Sequence, residues 1–204
     1  MIEDNELIED FLGGDEKAFE LIVHRYLKPL YNFAFQLTGD RVVSEDIIQD
    51  VFFKVWKNLS KFNSKKKFST WIFTITKNTA FDWLKKKKNI PFSFLENENG
   101  ENTFEKSTNS ILLDIYQNEK NVELENILEK MMSQLPEISR GILLLHHIEG
   151  FTLVEIAEIF DQPANTVKSK YRRALLFLRG NIIKGQFDDK TKIKVVAPKI
   201  DLVS

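Results

Sequence analysis

The chain has 204 residues, of which 43% are hydrophobic and 29% charged, and its formal net charge is -1 at pH 7. That length gives room for one domain or two small ones, and the absence of cysteine excludes disulfide bonds and thiolate metal sites. The acidic N-terminus has no signal-peptide pattern, and no apolar run is long enough for a membrane helix. We therefore expect a cytoplasmic protein without direct membrane insertion.

The charges are arranged in blocks along the chain. Residues 61–88 contain nine lysines and one aspartate, whereas residues 89–137 contain ten acidic residues and three lysines. Residues 138–184 are basic again, with seven lysines or arginines and four acids. Because nucleic-acid binding depends on local charge, the near-neutral total does not exclude it.

The first 88 residues have apolar side chains at helical spacing and no strand alternation, which predicts an all-α segment. Residues 4–36 are expected to be helical with a break at Gly13–Asp15, and Pro29 to kink or restart the second helix. The next helix is expected to use Ser44 as its N-cap. After a loop at Lys61–Phe68, a further helix is predicted over Ser69–Lys87.

The composition changes after this helical segment. Asn, Glu, Ser and Thr dominate up to about residue 121, which is typical of a flexible acidic linker. Helical periodicity resumes at Val122, and Pro136 and Gly150 each mark the end of a helix. The predicted organisation is two small helical domains joined by that linker: residues 1–89, linker 90–121, residues 122–182, and a tail 183–204 of unknown role.

Residues 151–178 are predicted to form a helix-turn-helix. A helical projection of the second helix places one apolar stripe on one side, formed by Val167, Tyr171, Ala174, Leu175 and Leu178. The opposite side carries Asn165, Ser169, Arg172 and Arg173, with Thr166 and Lys168 toward its edges. An ordinary solvated face would also carry such residues. The tight turn, the preceding helix and the small polar residues at the helix start together favour the DNA major groove.

Two stretches of the N-terminal half are less specific when taken alone. Residues 44–56 place Asp46, Gln49, Asp50 and Phe53 on one helix face, which suits an Arg-rich protein partner but equally an ordinary solvated face. Residues 68–88 interleave aromatic residues with lysines, a pattern that suits single-stranded DNA, although most of the apolar residues are expected in the core.

Taken together, these stretches resemble a family. The runs Glu45–Trp56 and Phe68–Lys85 are similar to regions 2.2 and 2.3–2.4 of bacterial extracytoplasmic-function (ECF) sigma factors. Leu135–Ala157, followed by Thr166-Val167-Lys168-Ser169, resembles region 4 of that family. The resemblance covers about residues 5–88 and 122–180, in the family's order. It implies an all-α protein with a region 2-like bundle and a region 4-like helix-turn-helix domain.

The resemblance also implies a role for particular residues. Core RNA polymerase, through its β′ coiled coil, would be contacted by Asp46, Gln49, Asp50 and Phe53. The −10 element would be bound and melted by Lys61, Asn63, Ser64, Lys65, Lys66, Lys67, Phe68, Lys77, Asn78, Lys85 and Lys86. The −35 element would be bound by Asn165, Thr166, Lys168, Ser169, Arg172 and Arg173. The implied partners are core polymerase, including its β flap, promoter DNA and an anti-sigma factor, with no cofactor and no metal.

The sequence departs from the family pattern at three places, and two other classes of function are considered. Asn165 stands where the family often has glycine, the basic run after region 2.4 contains lysine only, and the tail has no counterpart. The main alternative is a helix-turn-helix regulator with a sensory N-terminal domain. An enzyme is not expected, because His24 is isolated, His146 and His147 lack metal-ligand spacing, and no Gly-rich phosphate loop is present.

Overall fold

The structure is a computed structural model that describes residues 2–88 and 130–183. The described part is helical throughout and contains no strand, which confirms the all-α prediction. Its elements are α1 Asp4–Leu12, α2 Glu16–Thr38, α3 Arg41–Asn58, a short 3-10 helix Leu59–Lys61, α4 Phe68–Lys88, α5 Glu137–His147, α6 Leu153–Phe160 and α7 Ala164–Ile183. No helix in this part is long and apolar enough to cross a membrane.

The first two helices form where the sequence predicts them. α1 buries Leu7 and Ile8, and the next helix begins at an Asp15 cap whose carboxylate accepts the Lys17 N–H at 3.0 Å. α2 passes through Pro29 and ends at Gly39, whose φ of 69° lies in the left-handed region that glycine adopts without strain. The Gly39 N–H closes the helix by donating to the Phe35 carbonyl at 2.8 Å.

The prediction that Ser44 caps the third helix is wrong. α3 begins four residues earlier, at Arg41, and its N-cap is Asp40, whose carboxylate accepts the Val43 N–H at 3.3 Å. Ser44 is buried in the first turn, where its hydroxyl donates to the Asp40 carbonyl at 2.6 Å. Either residue type can cap a helix, and the choice follows from α2 ending at Gly39, which leaves Asp40 at the entry of the next helix.

The helix-turn-helix is formed by α6 and α7 after α5, which follows Pro136 as predicted. α6 opens with a reciprocal cap in which Thr152 accepts the Glu155 N–H and Glu155 accepts the Thr152 N–H. Asp161, at φ 53°, ends that helix in the left-handed conformation. The whole predicted apolar stripe of α7 is buried, and the helix continues to Ile183, beyond the predicted end near Leu178.

The two groups of helices pack directly on each other through one continuous apolar core. α2 lies against α5, and α4 lies against α6. Aromatic pairs cross the boundary: Phe33 meets Phe160 with ring centroids 6.1 Å apart, and Phe73 meets Phe151 at 5.1 Å. The described part of the chain is therefore a closed pair of domains, which the sequence did not predict.

The whole predicted linker, most of the helix predicted from Val122 and nearly all of the tail lie outside the described residues. Of that helix residues 130–135 are described, and they are helical up to residue 133.

Candidate nucleic-acid and protein interfaces

The polar face of α7 is open to an incoming duplex. Asn165 and Lys168 are exposed at the start of the helix, and Thr166, Ser169, Arg172 and Arg173 are partly exposed. Within the described residues, no carboxylate forms an ion pair with Lys168, Arg172 or Arg173. Guanidinium groups beside small polar side chains can donate hydrogen bonds to base edges and phosphates.

The turn before α7 holds that helix at a fixed angle to α6. The Gln162 N–H donates to the Ala157 carbonyl at 3.0 Å, which closes the turn onto the first helix. On the other side, the Lys170 ammonium group donates to the Gln162 amide oxygen at 3.0 Å. The turn is thus bonded to both helices, so that the polar face of α7 has one orientation.

Two adjacent histidines at the end of α5 pack against the buried side of α7. His147 lies in the core and its ring nitrogen Nε2 is 3.2 Å from the Tyr171 hydroxyl, while His146 Nδ1 is 2.7 Å from the Phe151 carbonyl. Burial, together with the neighbouring His146, lowers the pKa of His147 from 6.5 to about 4. Both histidines are therefore part of the domain's packing. Among the described residues, no three His, Asp or Glu side chains are grouped as metal ligands.

The basic loop between the 3-10 helix and α4 is held at both ends by aromatic packing. Phe62 and Phe68 meet edge to face at 5.4 Å, and both contact Trp71. Within the loop, the Asn63 side chain accepts the Lys65 N–H at 3.0 Å. Asn63, Ser64, Lys65, Lys66 and Lys67 are all exposed on this loop, and Lys61 is exposed at the end of the 3-10 helix before it.

Not every residue predicted to bind the −10 element is available in the closed arrangement. Phe68 is only 2% exposed because its ring belongs to that aromatic packing, so we leave it out of the DNA contacts proposed below. Lys77 is 7% exposed, and desolvation lowers the pKa of its ammonium group. By contrast, Asn78, Lys85 and Lys86 on α4 are exposed.

The predicted polymerase-docking residues form a continuous exposed stripe on α3. Asp46, Gln49, Asp50 and Phe53 are all exposed, and Asp50 pairs with Lys54 at 2.7 Å. The stripe is longer than predicted, because Trp56 is 54% exposed with its ring centroid 6.5 Å from that of Phe53. The spacing of three residues from Phe53 to Trp56 could have identified this position as part of the same face.

The contacts between domains involve residues that sequence reasoning missed. The Lys67 ammonium group donates to Glu155, the residue that also caps α6, and this bond holds the pKa of that carboxyl below its usual range. The Arg140 guanidinium donates to the Gln36 carbonyl at 2.7 Å, in the last turn of α2. A capping-box pattern, Thr152 to Glu155, is visible in the sequence, but it gives no indication of a partner 88 residues away.

Comparison with known proteins gives two family matches. Residues 22–90 match the model of sigma-70 region 2, and residues 125–178 match that of sigma-70 region 4. The first match covers the basic loop and the α3 stripe, and the second covers the helix-turn-helix. A sensory N-terminal domain is therefore not what precedes the DNA-binding helices.

Individual relatives and solved structures agree with these matches. The ECF RNA polymerase sigma factor SigW of Bacillus subtilis is 32% identical over 175 residues, which cover 84% of this chain and 92% of SigW. The ECF sigma-E factor of Escherichia coli K12 is 32% identical over 176 residues, covering 84% and 90%. The sigma factor RpoE of Bartonella quintana, solved with the anti-sigma factor NepR, has a similar fold, with a TM-score of 0.62 at 22% identity over 84% of this chain and 99% of that one. With a region 2 bundle, a region 4 helix-turn-helix and relatives that match nearly end to end, the chain belongs to the ECF RNA polymerase sigma factors.

Proposed function

We propose that this sigma factor binds core RNA polymerase through the α3 stripe and promoter DNA through two separate basic surfaces. The observation that carries the proposal is the position of these surfaces on different domains. The acidic and aromatic stripe and the basic 62–67 loop belong to the N-terminal domain, and the polar face of α7 belongs to the C-terminal one.

The docking surface on α3 fits a basic helical partner such as the β′ coiled coil. Asp46 and Asp50 offer carboxylates to arginine, and Phe53 and Trp56 offer exposed rings beside them. Aromatic residues surrounded by polar groups are the usual anchors of protein interfaces. We add Trp56 to the four residues predicted from the sequence. A contact between the C-terminal domain and the β flap remains a prediction from the family resemblance.

For promoter DNA, the exposed loop lysines and Lys85 and Lys86 would neutralise phosphates near the −10 element, and Asn63 and Asn78 would contact its bases. On α7, Arg172, Arg173, Asn165 and Ser169 would contact base edges of the −35 element, with Thr166 and Lys168 on phosphates. Because these lysines are point charges, those near the −10 element should position the strand more than they specify its sequence.

The two domains must separate to contact both elements at once. Positions −35 and −10 lie about 25 base pairs apart, which is about 85 Å along B-form DNA. In the closed arrangement, Lys67 touches Glu155, and Glu155 precedes Asn165 by only ten residues, which span at most about 36 Å when extended. The closed chain is too short for both elements. Opening would also release Lys67 from Glu155 and make Lys77 accessible to the −10 DNA.

The remaining parts of the proposal follow from this role. The polymerase supplies the chemistry of transcription, so this chain would act without a catalytic centre of its own. Because its proposed partners are polymerase and promoter DNA, the chain would act in the cytoplasm. An anti-sigma factor is proposed as a further partner, because the similar fold of RpoE was solved with the anti-sigma factor NepR. CnrH, another similar fold, was likewise solved in a complex, with the cytosolic domain of CnrY.

In vitro transcription tests the proposal. Purified chain and core polymerase would be incubated with a library of promoter fragments, and transcripts would be sequenced. We expect initiation at a defined subset of promoters that share −35 and −10 sequences and that are silent with core polymerase alone. Transcription that is independent of the chain, or that has no common promoter sequence, would contradict the proposed function.

A further inference from the structure

A crevice of about 350 Å³ lies between the domains, where the start of α4 meets the turn before α6. Three aromatic rings line it: Tyr26 and Phe73 from the N-terminal domain and Phe151 from the C-terminal domain. Phe73 and Phe151 meet edge to face, with ring centroids 5.1 Å apart. The crevice is large enough for a single long side chain, and each domain supplies part of its wall.

The charged groups that line the crevice are already paired, with one exception. The Arg25 guanidinium donates to the Asp4 carboxylate, and the Lys67 ammonium group donates to Glu155. Glu149 also lines the crevice, and within the described residues its carboxylate has neither an ion pair nor a hydrogen bond. The site therefore has one carboxylate without a counter-ion beside three aromatic rings.

This chemistry favours a cation over an anion. An anion would face the Glu149 carboxylate, and both cations of the crevice are already neutralised by Asp4 and Glu155. A guanidinium group can donate two parallel hydrogen bonds to a carboxylate, whereas an ammonium group is a compact point charge. Burial raises the pKa of the Glu149 carboxyl, as expected for an acid that lacks a partner.

We propose that this crevice binds an arginine side chain presented by a protein partner, with Glu149 as its counter-ion and the rings of Phe73 and Phe151 as its walls. The site exists only while the domains are closed, because neither domain alone has both walls. A partner that binds only the closed arrangement shifts the equilibrium toward it. This consequence rests on the proposed function: an arginine seated here would hold the sigma factor in the arrangement that cannot span a promoter.

The binding test uses the full chain labelled with ¹⁵N and titrated with N-acetyl-arginine amide. We expect saturable shifts of the Gly150 and Phe151 amide signals. The neutral isostere N-acetyl-citrulline amide should bind the chain about tenfold more weakly than arginine amide does. The Glu149→Gln variant should likewise bind arginine amide about tenfold more weakly than the unchanged chain. Glu158→Gln is the matched control, because it removes an exposed carboxylate from α6 outside the crevice and should bind arginine amide normally.

Equal shifts with arginine and citrulline amides, or undiminished binding by Glu149→Gln, would overturn the proposal. So would shifts of the same amides caused by inorganic phosphate, because they would make the crevice an anion site. The transcription assay separates this proposal from the proposed function. A chain that initiates transcription but does not bind arginine amide refutes the crevice site alone. A chain that binds arginine amide but does not initiate refutes the proposed function alone.

Discussion

Gly141 occupies the tightest point between the two domains, and substituting it should open the chain. A Cβ added at this position of α5 would lie 2.8 Å from Phe160 Cζ, 3.1 Å from Phe33 Cε2 and 3.2 Å from Leu37 Cδ2. Carbon atoms prefer separations of about 3.5–4.0 Å, so all three contacts are too short. Phe33 and Leu37 belong to α2, on the other domain, and move away when the chain opens.

The size of the effect can be estimated from this geometry. Overpacking a filled core costs about 1–3 kcal/mol. At Gly141 the shortest contact, to Phe160, lies within the C-terminal domain, and only the part of the cost that arises from Phe33 and Leu37 is confined to the closed arrangement. In the open chain only Phe160 remains nearby, and it is freed from its packing against Phe33. Alanine also favours the α5 helix by about 1 kcal/mol, equally in both arrangements. The two contacts that cross between the domains correspond to the lower end of that range, about 1 kcal/mol, so Gly141→Ala should shift the equilibrium toward the open chain by roughly 5-fold.

Distances between spin labels measure this shift. The chain has no cysteine, so single cysteines can be placed at the exposed positions Glu20 on α2 and Val154 on α6. Gly141→Ala should increase the population at long distance and lower the concentration of sigma factor needed for half-maximal transcription. Gly180→Ala is the control, because the same substitution in α7 meets no atom within 4 Å. Identical distance distributions for Gly141→Ala and Gly180→Ala would refute the reasoning. Loss of helical circular dichroism in Gly141→Ala would also refute it, because the added methyl group would then disrupt the C-terminal domain itself.

Three further predictions concern polymerase, DNA and pH. Asp50→Arg should abolish co-purification with core polymerase, because it reverses the charge of an exposed docking carboxylate, whereas Asp10→Arg on α1 should not; undiminished co-purification of the first variant would contradict the docking surface. Arg172→Ala should weaken promoter binding by about 1–3 kcal/mol and relax the preference at one −35 position, so an unchanged sequence logo from promoter selection would exclude base contact. The folded-state pKa of His147 is depressed, so its contribution to stability is present above its ordinary pKa of 6.5 and decreases as the pH falls toward about 4. Urea unfolding should show a loss of about 2 kcal/mol between pH 7.5 and pH 5; His147→Gln should reduce that loss, and equal pH dependence in both proteins would contradict the assignment.

Periodicity predicted a helix well where it buries a single apolar stripe. In α7, the buried residues Val167, Tyr171, Ala174 and Leu178 recur at intervals of three or four. Boundaries were predicted less well, since several residues can act as caps. Asp40 and Ser44 are both suitable, and only the end of the preceding helix decides between them.

The closed arrangement could not be predicted from periodicity, because the residues that form it already have a place within their own domains. Phe33 and Phe73 pack on each other at 5.4 Å inside the N-terminal domain, and each also contacts a ring of the other domain. In the sequence, Lys67 is one lysine of a basic loop, and its ammonium group could pair with a DNA phosphate as readily as with the Glu155 carboxylate. A single sequence gives no information on which partner such a residue meets across a long chain separation.

The composition of the domain contact explains how it can be both specific and reversible. The Lys67 side chain is 71% exposed, so its bond to Glu155 is weakened by solvent and a DNA phosphate can replace it at little cost. Lys77 is unfavourably desolvated in the closed arrangement, and opening returns its ammonium group to water. Closure therefore depends mainly on the aromatic contacts of Phe151 and Phe160, whereas Lys67 adds little to it and Lys77 favours release. Promoter DNA that binds Lys67 and Lys77 would therefore favour the open arrangement, because these two residues contribute least to the closed one.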